Sequence, residues 1–130
     1  MELQTGMKGQ AAVAVTMENT AAAVGSGLLP VFATPSMIAL MEKAACEAVA
    51  PAMAEGQGTV GTLMNVKHLA ASPVGDSIRA EAELVQVDGR RLVFKVAAYH
   101  GTGLIGEGDH VRLIIQNEKF LAKANAKLKK

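Results

Sequence analysis

Residues 34–51 read TPSMIALMEKAACEAVAP, and this stretch decides the fold. Met37, Leu40, Met41, Ala44, Ala45 and Ala48 recur at helical spacing and fill one broad arc of a helical wheel. Lys43 and Glu47 fall on the opposite, solvent-compatible side. Thr34 and Pro35 read as the N-cap and the first helical residue, and Pro51 stops the helix near Ala50. Glu42 belongs to neither side. It lies at the edge of the apolar arc beside Cys46 and Val49, where a carboxylate is either half-buried and paired or a working chemical group.

Outward from this helix the period changes. Upstream, residues 10–18 alternate, with Val13, Val15 and Met17 against Ala12, Ala14 and Thr16, and predict a strand. The segment 19–33, NTAAAVGSGLLPVFA, reads as a loop of small residues. Downstream, Val60, Thr62, Met64, Val66 and His68 share one face of a strand, with Gly61, Leu63, Asn65 and Lys67 on the other. ASPVGD at 71–76 is a turn. Residues 77–87 place Ile78, Ala80, Ala82 and Leu84 on one face, opposite Arg79, Glu81 and Glu83. Asp88-Gly89 marks a hairpin, after which Leu92, Phe94, Val96 and Ala98 alternate. GTGLIGEGD at 101–109 reads as a glycine-rich turn or bulge. Val111, Leu113 and Ile115 open the inner face of a last strand. From Asn117 the chain reads as a short helix that frays into solvated lysines, the lysine-rich tail beginning at about residue 121.

The expected architecture is therefore α+β: one strand, one long helix, then four antiparallel strands, within a single domain over residues 1–130. Each later strand has one apolar face, so the sheet packs on one layer. A helix apolar over so much of its circumference needs more cover than one sheet provides, which points to a homodimer or higher oligomer. A helix wrapped by a curved antiparallel sheet is the hot-dog arrangement.

Composition excludes several classes. The formal charge of +1 gives no electrostatic ground for nucleic acid, and three phenylalanines, one tyrosine and no tryptophan give little to stack bases on. No apolar run reaches membrane-spanning length without a charge, and the polar start MELQTGMKGQ is not a secretory signal. The single cysteine, Cys46, reads as a small core residue in a reducing compartment. A soluble, cytoplasmic protein is expected. There is no phosphate-cradling loop with lysine, no HExxH, no CxxC pair and no serine elbow, and three histidines without clustered acids or further cysteines argue against a metal site.

Five positions carry possible chemistry. Thr34 is either an ordinary cap or a hydroxyl aimed at a ligand near the helix N-terminus. His68, at the end of an apolar strand face, is a packed histidine or the best proton-transfer group in the chain. Gly61 marks a bulge, a close helix contact, or bare backbone open to a ligand oxygen. Arg112 points away from Val111 and Leu113, as a surface charge or as the holder of a polar ligand group. Glu42 completes the set. His100 and His110 flank the glycine-rich segment and read as exposed.

Taken together, VFATPSMIALMEKAACEAVAP, GTVGTLMNVKHLAASPVGD, AELVQVDGRRLVFKVAAYHG and GEGDHVRLIIQNEKF resemble the fluoroacetyl-CoA thioesterase family of hot-dog proteins, over roughly residues 12–125. The resemblance implies that Thr34, Glu42 and His68 form the catalytic set. It implies further that Gly61 contacts the thioester and that Arg112 contacts the substrate. It implies hydrolysis of an acyl-CoA with no bound cofactor, coenzyme A being part of the substrate. Glu42 would attack the carbonyl or activate water, Thr34 would position or polarise, His68 would move the proton, and the Gly61 N–H would stabilise the oxyanion. The chain departs from the family in one respect. The specialised enzyme carries phenylalanines in a lid before the helix, whereas residues 19–31 here hold only small and aliphatic side chains, with Phe32 beside the motif. A general short-chain acyl-CoA is the expectation. A hot-dog hydratase or dehydratase and a non-catalytic acyl-CoA-binding module are the alternatives, the second disfavoured because a binder needs no acid.

Overall fold

The computed structural model describes residues 2–129. The chain runs through β1 (Lys8–Ala14), a short helix α1 (Ala21–Val24) and the long helix α2 (Thr34–Val49). It continues through β2 (Gln57–His68), β3 (Ser77–Asp88), β4 (Arg91–His100) and β5 (Gly103–Gln116) to a terminal helix α3 (Asn117–Asn125). The strands form one antiparallel sheet in the order β1-β3-β4-β5-β2, curled about α2, so β1 and β2 are its edges.

The helical period places the apolar arc of α2 against the sheet. Met37, Leu40, Met41, Ala44, Ala45, Ala48 and Val49 are all buried, while Lys43 and Glu47 are exposed. The inner faces of β3 and β4 are those the alternation predicts: Ile78, Ala80, Ala82 and Leu84 meet Leu92, Phe94, Val96 and Ala98 in one core. Full burial of a side chain such as Phe94 contributes about 2–3 kcal/mol. The alanines of α2 have a steric purpose. A Cβ on Gly9 of β1 would land on the helix backbone at Ala44 and Ala48, so β1 and α2 touch at backbone level. Outside, the ion pairs Arg79–Glu81 (2.9 Å) and Lys95–Asp109 (2.6 Å) lie in solvent and contribute about 0–1 kcal/mol each.

Several boundaries differ from the sequence reading, each for a local reason. β1 begins at Lys8 and ends at Ala14, because Thr16 and Asn19 form a capping box that turns residues 17–19 into a 3-10 turn. The loop before α2 contains α1, capped by the Thr20 hydroxyl and closed by Gly25 in the left-handed conformation (φ 80°). Thr34 is not the N-cap. Ala33 is, and Thr34 and Pro35 occupy the first helical positions with no side-chain cap bond. The hairpin loop is Gly89-Arg90, one residue later than expected, with Asp88 and Arg91 paired across it. Of GTGLIGEGD, only Gly101 and Thr102 turn, and the rest is strand. Gly106 and Gly108 are glycines because a Cβ would strike Met37 in one case and the β2 backbone near Val66 in the other.

Candidate active site

The site depends on a bulge in β2. Pairing of β2 with β5 slips between Gly61 and Leu63, leaving Thr62 as the extra residue. Side chains alternate across a strand, so one extra residue exchanges the faces beyond it. Gly61 therefore shares the helix-facing side with Met64, Val66 and His68, where uninterrupted alternation predicts the opposite side. On β5 the inner face is His110, Arg112 and Ile114, and Val111, Leu113 and Ile115 lie on the other face. Arg112 is thus no surface charge, and His110, at 1% exposure, is not exposed.

Arg112 stands directly across from Gly61 in the ladder. Its Nη1 donates to Glu42 Oε2 at 3.0 Å. Nε donates to the Thr59 hydroxyl at 2.8 Å, and Nη2 donates to the Thr59 carbonyl at 2.9 Å. Nη1 also lies 3.2 Å from His110 Nε2. The two partners of the ion pair differ in exposure: the Arg112 side chain is 7% exposed and that of Glu42 40%. The guanidinium is fixed inside, while the carboxylate it holds remains open to solvent. A Cβ on Gly61 would lie 2.5 Å from Glu42 Oε2. The residue is glycine because the carboxylate occupies the space above it. Cys46, one turn beyond Glu42, is half-buried, with its Sγ 4.0 Å from the Thr59 hydroxyl.

A second group forms at the start of α2. The Thr34 hydroxyl, not used in capping, lies 2.7 Å from His68 Nδ1. His68 Nε2 is buried with no hydrogen-bond partner among the described residues. Burial lowers the His68 pKa below its ordinary value, with the Ala70 backbone acting the other way, so the ring is a neutral base near neutrality.

The five predicted residues therefore fall into two groups. Glu42, Gly61 and Arg112 meet directly, and so do Thr34 and His68. Glu42 lies two turns beyond Thr34 on α2, about 12 Å along its axis, and Gly61 lies roughly 20 Å from His68 along β2, six paired steps of β5 apart. Sequence reasoning missed two members, Thr59 and His110. Both were legible in part, since each lies two residues before a recognised position, Gly61 or Arg112, and so on the same face. Among the described residues, no three of His, Cys, Asp and Glu gather as metal ligands would, and no helix is long and apolar enough to cross a membrane.

Residues 15–118 match the model of the fluoroacetyl-CoA-specific thioesterase family. The chain is 46% identical over 97 residues to the fluoroacetyl-CoA thioesterase of Streptantibioticus cattleyicolor, covering 75% of this chain and 70% of that protein. A solved structure of the fluoroacetyl-CoA thioesterase superposes with a TM-score of 0.92 at 36% identity, over 98% of each chain. A hypothetical protein of the thioesterase superfamily from Thermus thermophilus gives 0.85 at 30% identity, over 94% of this chain and 90% of that one. The fold is the hot-dog arrangement expected from the sequence.

His68 and His110 both have pKa values lowered chiefly by burial. The unfolded chain therefore binds protons at these rings more readily than the folded chain does. Their contribution to stability is whole above the unfolded value of 6.5 and is lost as pH falls through the depressed folded values. Urea unfolding should show lower stability at about pH 5 than at about pH 7, with a flatter dependence in His68→Asn. An identical slope in the variant would show that His68 is not the linked group.

Proposed function

The chain belongs to the fluoroacetyl-CoA-specific thioesterase family and is a thioester hydrolase, and on that premise we propose that it cleaves a short-chain acyl-CoA to the free acid and coenzyme A. The observation that carries this reading is the half-exposed Glu42 carboxylate, held by the buried Arg112 against the bare backbone of Gly61. A thioester is activated enough for a carboxylate to act on it without a serine triad. Glu42 either attacks the carbonyl carbon and expels the thiolate, leaving a mixed anhydride that water opens, or takes a proton from water that attacks instead. The Gly61 N–H serves as oxyanion donor, a role worth about 3–4 kcal/mol when aligned. His68, neutral and bonded to the Thr34 hydroxyl, moves the proton that the leaving thiolate needs.

The separation of the two groups on one chain supports a homodimer with shared sites. β2 is an edge strand with Leu63 half exposed. Pairing two copies antiparallel along this edge would carry the His68 end of one strand toward the Gly61 end of the other. Light scattering at micromolar concentration should then show no folded monomer, and a stable monomer that turns over substrate would contradict shared sites.

The segment before α2 bears on substrate choice. Val24, Leu28 and Leu29 are exposed, and Phe32 is buried in the core at 2% exposure. No aromatic side chain is placed there to gate a two-carbon acyl group. Small aliphatic surfaces discriminate weakly, about 1–3 kcal/mol per methylene.

Thiol release from a panel of acyl-CoAs tests the reading. Wild type should hydrolyse short chains and show no large preference for fluoroacetyl-CoA over acetyl-CoA. Glu42→Gln should fold and lose a factor of about 10² to 10⁴ in turnover. Undiminished turnover in this variant would remove Glu42 from the mechanism. A preference of several orders of magnitude for the fluorinated substrate would show that selectivity does not require an aromatic gate.

A further inference from the structure

His110 is the most deeply buried titratable side chain of the Glu42 group, and the chemistry above does not use it. Its ring is fixed on both nitrogens. Nδ1 lies 2.8 Å from the Leu63 carbonyl, and Nε2 lies 3.2 Å from Arg112 Nη1. These partners leave no choice of protonation state. A carbonyl can only accept, so Nδ1 carries the hydrogen. A guanidinium can only donate and does not lose its charge, so Nε2 presents a lone pair. The one form that satisfies both is the neutral ring protonated at Nδ1.

We infer that His110 is a positioning residue: as the neutral Nδ1–H tautomer it accepts from Arg112 Nη1 and so aims the guanidinium that holds the Glu42 carboxylate. The chain of contacts is continuous. The Leu63 carbonyl follows the bulge in β2, His110 spans from it to Arg112 on β5, and Arg112 reaches Glu42 on α2. Thr59 anchors Nε and Nη2 of the guanidinium, and Nη1 is the nitrogen that His110 and Glu42 share. The ring also supports the floor under the carboxylate, since a Cβ on Gly61 would lie 3.2 Å from His110 Cε1. Phe94 packs beside it, with ring centroids 6.1 Å apart.

The surroundings favour the neutral form. Burial holds the His110 pKa below the ordinary imidazole value and the Arg112 charge adds to this, while the Leu63 carbonyl and the Glu42 charge oppose it. The charged groups that face the ring are Arg112 from β5 and Glu42 from α2; Phe94, its neighbour on β4, is apolar. Protonation of Nε2 would set a donor against a donor and a cation against a cation, and would release Nη1 from its aim. Loss of the Arg112 bond therefore lowers turnover through Glu42.

The inference rests on the role proposed for Glu42, and two substitutions separate it from a purely architectural role. Asn reaches the place of Nδ1 and keeps a donor for the Leu63 carbonyl but offers Arg112 nothing. Gln reaches the place of Nε2 and can accept from Arg112 while releasing Leu63. If His110 positions Arg112, His110→Asn lowers kcat by about 10²-fold with KM little changed, the size expected of a small misplacement of a reacting group. His110→Gln then keeps more of kcat even where its melting temperature is lower. If the ring only ties β5 to β2, the order reverses and Asn exceeds Gln in both kcat and stability, which overturns the inference. A ¹⁵N NMR measurement on wild-type protein reads the tautomer independently of catalysis. Nδ1 protonated and Nε2 unprotonated across neutral pH is the expected result, and the Nε2–H tautomer or a charged ring overturns it. Should wild type release no thiol from any acyl-CoA, the functional reading fails, while the NMR result still decides whether His110 accepts from Arg112.

Discussion

A guanidinium that cannot lose its charge is buried beneath the sheet, and the arrangement around it answers that constraint. Arg112 needs acceptors on every side that water would otherwise fill. Thr59 supplies two oxygens, His110 a nitrogen and Glu42 a carboxylate. Each comes from a different place in the chain, so the charge ties α2, β2 and β5 together. Glu42 is thereby both counterion and candidate reactive group. Removing it from a fully buried pair would cost about 3–5 kcal/mol. Its exposure to water brings the penalty below that range, which makes it possible to test the chemistry of this residue in a protein that still folds.

The same constraint explains two features that look unrelated. Gly61 has no side chain because the carboxylate held by Arg112 lies where a Cβ would go. The bulge that follows it restores the inward direction of Met64, Val66 and His68. Without the extra residue, Gly61 and His68 would lie on opposite faces, and only one could look toward α2. A local irregularity in an edge strand thus lets one strand serve two parts of a site, consistent with the frequent placement of bulges beside functional groups.

Most of the fold was legible because the patterns were strong. The apolar arc of α2 and the alternation in β3 and β4 name the buried residues almost one for one. The errors fell where a single residue changes the parity of a strand. Nothing in Gly61-Thr62-Leu63 announces which residue is extra, so alternation alone gives β2 one unbroken face. On β5, the apolar Val111, Leu113 and Ile115 outweigh His110 and Arg112 in choosing an inner face, though the polar pair lies on the side of Glu42 and α2 while the sheet buries Val111 from the other side. Hydropathy misleads there because the buried polar groups satisfy one another. By residue type Thr34 is the better cap, but Ala33 holds that place and frees the hydroxyl for His68. The five candidate positions themselves came from motif spacing and resemblance. Their division into two groups could come only from geometry.

The central claim is that Arg112 acts through the Glu42 carboxylate rather than as an independent contact. A double-mutant cycle on kcat/KM for a short acyl-CoA tests it most directly, comparing Glu42→Gln, Arg112→Met and the double variant, each shown to be folded. If Arg112 works by holding Glu42, the double variant is no slower than Glu42→Gln alone. If the two losses instead multiply, Arg112 contributes separately from Glu42, and the account of the site as a carboxylate held by a buried guanidinium is wrong.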